Sequence, residues 1–86
     1  MMSEDLTQKV VAWASEVARH AAQLPSRAAR DAYLAERHRE LVAGAVAEGT
    51  AEHDAIVLAD ASIDAARRIM AALLAQRGDG PKQRLN

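Results

Sequence analysis

The chain has 86 residues, half of them hydrophobic, with a formal net charge of −1, no cysteine, no phenylalanine, one tryptophan and one tyrosine. That length allows one small domain, which buries only about 60% of the surface its unfolded chain would expose. The charge balance excludes a global positive field for nucleic acid or anionic lipid, and the lack of cysteine excludes a disulfide framework or a thiolate metal site.

A first helix is expected over about residues 3–24. Ser3 offers a capping hydroxyl, and Glu4 and Asp5 set carboxylates beside the positive end of the helix dipole. Residues 1–5 lack the basic-then-apolar order of a signal peptide, and no apolar run approaches the ~20 residues of a membrane span. The expectation is a cytoplasmic protein without membrane contact. Leu6, Val10, Trp13, Val17, His20 and Leu24 recur at steps of four and three, with Ala14, Ala18 and Ala21 beside them, which makes one core-facing stripe. Trp13 is the largest apolar group in the chain, so it is the expected anchor of the core.

Pro25 ends this helix, because the residue before a proline is pushed out of the α region, and Ser26 is placed to cap the next. The second helix is expected over about 26–48. Its inner face reads Ala28, Asp31, Leu34, Ala35, His38, Leu41, Val42, Ala45 and Val46, with Arg30, Glu36, Arg37, Glu40 and the ring edge of Tyr33 opposite. Gly49 suits the left-handed residue just past a helix end, and Thr50 suits the next N-cap, followed by Glu52 and Asp54 in the first turn.

The third helix, about 50–77, carries the strongest pattern. Ile56, Ala59, Ile63, Ala66, Met70 and Leu73 alternate at steps of three and four and share one stripe, flanked by Leu58, Ser62, Ala65, Ile69 and Ala72. An apolar arc about half the helix circumference needs two neighbours. Asp60, Asp64, Arg67 and Arg68 lie opposite, with Asp64 and Arg68 spaced for an i, i+4 ion pair. Residues 78–86 lose the periodicity and gather Gly and Pro, so a flexible tail is expected there.

Residues 1–77 therefore read as one all-α domain, a small three-helix bundle. Its apolar volume is mostly alanine, and each buried alanine yields less than a leucine would. Two remedies exist: close helix packing across alanine faces, or association of two copies along the third-helix seam. The second is the expectation, a homodimer with Ile56, Ala59, Ile63, Ala66, Met70 and Leu73 at its interface.

Candidates for chemistry are few. His20, Asp31 and His38 share faces of the first two helices and could meet in a metal site, but none has the E-x-x-H or H-x-x-x-H spacing that marks helical ligand sets. The plainer reading is histidines hydrogen-bonded in place. Arg27, Arg30, Arg37 and Arg39 could contact phosphates, yet Asp31, Glu36 and Glu40 alternate with them and neutralise the run. A helix-turn-helix reading fails on Glu52 and Asp54, which would turn negative charge toward a phosphate backbone. No nucleophile motif or glycine-rich phosphate loop occurs, and no cofactor is expected. The function expected is a non-enzymatic interaction or regulatory module, self-associated or bound to another helical protein. The alternatives are a nucleic-acid regulator using the four arginines and a metal-binding protein using His20, Asp31 and His38.

Overall fold

The computed structural model describes residues 2–77, with side chains from Thr7 onward; Ser3 lies inside the first helix, which begins at Met2, instead of preceding it as a cap, and the Leu6 side chain and the tail over 78–86 lie outside what is described. The described residues form three α-helices: α1 (Met2–Ala22), α2 (Arg27–Ala47) and α3 (Glu52–Gln76). The three-helix bundle anticipated from periodicity is the fold, with each helix one to two residues shorter at most ends than its pattern suggested.

Local chemistry sets the joints. Ser26 adopts an extended conformation and its hydroxyl accepts the Ala29 N–H at 3.1 Å, which starts α2 one residue after the cap. At the other end Gly49 has φ +105, the Gly49 N–H donates to the Val46 carbonyl, and the Thr50 N–H donates to the Ala45 carbonyl. That double return is a Schellman closure, in which glycine holds the left-handed position at no steric cost. It also corrects the expected cap of α3. Thr50 is used to finish α2, so Ala51 becomes the N-cap, with no side-chain hydrogen bond, and Glu52 and Asp54 supply the favourable charge in the first turn.

α3 is the middle helix. It packs against both α1 and α2, while those two meet each other only lightly, and the molecule is correspondingly flat at 53 × 29 × 17 Å. The C-terminal ends of α1 and α3 lie together, where the Arg77 guanidinium donates to the Ala22 carbonyl at 2.8 Å, so these helices run parallel. α2 runs antiparallel to α3.

The core is the small-residue contact that the composition allowed. Ala14, Ala18, Ala21 and Ala22 on α1 and Ala55, Ala59, Ser62 and Ala66 on α3 are buried. The Ser62 hydroxyl is satisfied inside its own helix, donating to the Leu58 carbonyl at 2.8 Å. Leu34, fully buried, is the one large side chain from α2 in that centre, and it meets Val17 and Ile63 there. Trp13 is half-buried at the edge of this cluster, so it braces the core from outside rather than anchoring its middle. The rest of the expected inner face of α2 is barely covered: Ala28, Asp31, Ala35 and Val46 are exposed, and His38, Leu41, Val42 and Ala45 are half-buried.

Replacing Ala66 by Leu adds volume where none is free and is expected to destabilise the chain by about 1–3 kcal/mol. Ala61→Leu, on the exposed side of the same helix, is expected to stay within about 0.5 kcal/mol of wild type. Urea denaturation followed by circular dichroism measures both.

Candidate functional site

The third-helix stripe divides between core and surface. Ala59, Ile63 (8% exposed) and Ala66 are buried within the chain, Met70 and Leu73 are half-buried, and Ile56 is 39% exposed. α1 and α2 cover the stripe from two sides around its middle, which supplies the two neighbours its width required. Ile56 escapes because it lies beside the last turns of α2, where the cover ends.

Two polar side-chain contacts cross from α2 to α3. His38 Nε2 lies 2.7 Å from Asp60 Oδ1, and Arg67 Nη1 donates to Asp31 Oδ1 at 3.4 Å. Asp60 and Arg67, placed by periodicity opposite the apolar arc of α3, are exposed there, and each also reaches across to a polar residue that interrupts the apolar arc of α2. Asp64 and Arg68 do form the expected pair along the outer side, at 2.6 Å.

These contacts separate the histidines. His20 is on the far side of α2, its ring centroid 4.6 Å from that of Tyr33, whereas Asp31 and His38 are engaged with α3. The triad of His20, Asp31 and His38 therefore does not assemble, and among the described residues no three His, Asp or Glu side chains are placed to hold a metal ion. Seven residues apart on α2, Asp31 and His38 share a side, but that side faces α3, while His20 approaches from α1.

The four arginines do not make one surface either. Arg30 donates to the Leu24 carbonyl at 3.3 Å, closing the α1–α2 turn, and Arg27 is exposed at the start of α2. Arg37 pairs with Glu40 and stands over Tyr33, 5.2 Å from the ring centroid; Arg39, on another side of the helix, pairs with Glu36. Tyr33, whose ring edge was expected on the face opposite the inner face of α2, packs half-buried against the core between His20 and Arg37.

Among the depressions on the described residues, two flank α2, one on each side. Between α1 and α2 is an open polar cleft of about 490 Å³, walled by Trp13, Tyr33 and Arg37 and rimmed by Glu16, His20 and Gln23. The Arg37 Nε is buried in its wall with no hydrogen-bond partner among the described residues. On the other side, along α2 and α3, runs a groove of about 820 Å³ whose floor is Val42, Ala43, Val46 and Ile56, with Arg39 and Glu52 at its borders. A smaller hollow of about 280 Å³ continues it past Ala35 to Ile63 and Arg67. The groove is the main apolar surface left open, with Val46 43% exposed beside Ile56. Periodicity placed Val42 and Val46 on the inner face of α2; their apolarity was legible in the sequence, but not that Val46 would stay exposed and Val42 half-buried.

No family model matches the chain, and no curated protein or solved structure matches it either. Among the described residues no helix is long and apolar enough to cross a membrane.

A double-mutant cycle of Asp31→Asn and Arg67→Gln is expected to give a coupling of about 0.2–1 kcal/mol, because both side chains are half in water, with the value shrinking as salt is added.

Proposed function

We propose that this chain is a non-enzymatic interaction module that works as a homo-oligomer, binding through the apolar groove of α2 and α3. The observation that carries the reading is the groove itself, in which Val42, Ala43, Val46 and Ile56 form a contiguous apolar floor bordered by charged residues. An apolar patch with a polar rim is the usual form of a protein-binding surface. The energetics point the same way. A core of alanines around one buried leucine leaves a thin margin, and association of copies adds stability by mass action. The chemistry of the groove is that of a helical partner, since its long axis follows two helices and its floor offers branched apolar side chains in place of converging polar groups.

Light scattering across a wide concentration range, with helicity followed in parallel, tests this. The expected result is twice the chain mass at micromolar concentration, with helix content falling as dilution splits the assembly. Monomer mass throughout, with constant helicity, would refute it.

A further inference from the structure

We propose that the occupant of the α2/α3 groove is a second copy of this chain related by a two-fold axis at Ala43, so that the two α2 helices cross antiparallel and Arg39 of each copy faces the partner's Glu52. This rests on the homo-oligomer reading above and adds its surface, its direction and its register.

A closed dimer contact must be complementary to itself: the same patch meets its own copy after a half turn. The groove has that property. Arg39 and His38 border one end and Glu52 borders the other, with Val42, Ala43, Val46 and Ile56 between them. Arg39 lies one turn before Ala43 on α2, about 6 Å along the axis. Glu52 opens α3 beside the other end of the groove, where Ala47 closes α2. A half turn about Ala43 therefore lays the basic end of one copy on the acidic end of the other. A side-by-side arrangement with α2 helices parallel would set arginine against arginine and leave both carboxylates unmatched.

Size complementarity supports the same centre. The axis falls on a small residue, and Gly44 follows it with open space around its Cα. Two helices meeting there can approach at the short end of the ordinary 8–10 Å interaxial range. Val42 and Val46 flank the crossing on each copy and reach toward the partner's Ile56. In the single chain Arg39 is bound to Glu36, on an exposed part of the helix. A guanidinium has five donors, so a second carboxylate can be added without breaking the first contact. The symmetry places two such contacts in each dimer, so any change at either residue acts twice.

The test uses the full chain and its charge-reversed forms, Arg39→Glu, Glu52→Arg and the double swap, with dissociation constants from sedimentation equilibrium at low salt. Each single reversal is expected to raise the dissociation constant about tenfold or more, and the double swap to return it to within about threefold of wild type. Because Glu52 also favours the start of α3, Glu52→Gln and the helicity of every variant are measured alongside; Glu52→Gln is expected to weaken the dimer less than the reversal does. Single reversals that leave the constant unchanged, or a double swap weaker than either single, would overturn this register while the dimer itself stood. A wild-type chain that stays monomeric at every concentration would instead overturn the homo-oligomer reading on which it rests.

Discussion

Ala14, Ala18 and Ala21 on α1 and Ala59 and Ala66 on α3 have lost all exposure to water, and this small-residue contact between parallel helices limits everything else the bundle can do. Such contacts let backbones come close and fill space well, but each yields only about 0.8 kcal/mol per buried methyl-sized group. The larger side chains that could add to the total, Trp13, Tyr33, Ile69 and Met70, sit around the rim of the core and are partly wet. With Leu34 as the fully buried large side chain, the core is ordered but shallow.

The second helix bears the consequence. It enters the core through Leu34, with Tyr33 packed half-buried at the edge, and two partly exposed polar contacts tie it to α3, His38 with Asp60 and Asp31 with Arg67. Contacts of that kind specify a register more than they add stability. Because α3 faces α2 from one side only, Val46 on α2's outward flank is left 43% exposed and Val42 only half-buried. The open groove is thus the geometric remainder of packing three helices flat, with α3 in the middle.

What the sequence made legible was the local chemistry. The hydroxyl of Ser26, the left-handed Gly49, and the ion pairs Asp64 with Arg68 and Glu36 with Arg39 depend on residues within four positions of each other, and each occurs as its spacing implies. The three helices followed from the same short-range periodicity. What remained hidden was the direction from which each neighbour arrives. Ile56 and Ile63 are indistinguishable on a helical projection, yet one is at the open end of the groove and the other is inside. Asp60 and Arg67 are exposed as their spacing implies, but nothing local showed that α2 would also pass within their reach. The His20, Asp31 and His38 grouping failed for the same reason, since a shared face says nothing about which helix that face meets. Thr50 was misplaced because the Schellman closure of α2 extends through it and α3 starts at Glu52, which leaves Ala51 as the N-cap.

One apolar stripe of α3 is divided between the chain's own core at Ile63, 8% exposed, and Ile56, 39% exposed, where the surface for another copy is proposed. Placing aspartate at each position in turn, and measuring helicity and mass together, tests it most directly. A buried charge without a partner costs several kcal/mol, so Ile63→Asp is predicted to give an unfolded chain at any concentration. Ile56→Asp is predicted to keep wild-type helicity at high concentration while its mass falls to that of a monomer. A folded, helical Ile63→Asp chain, or an Ile56→Asp chain that associates as tightly as wild type, would contradict that division.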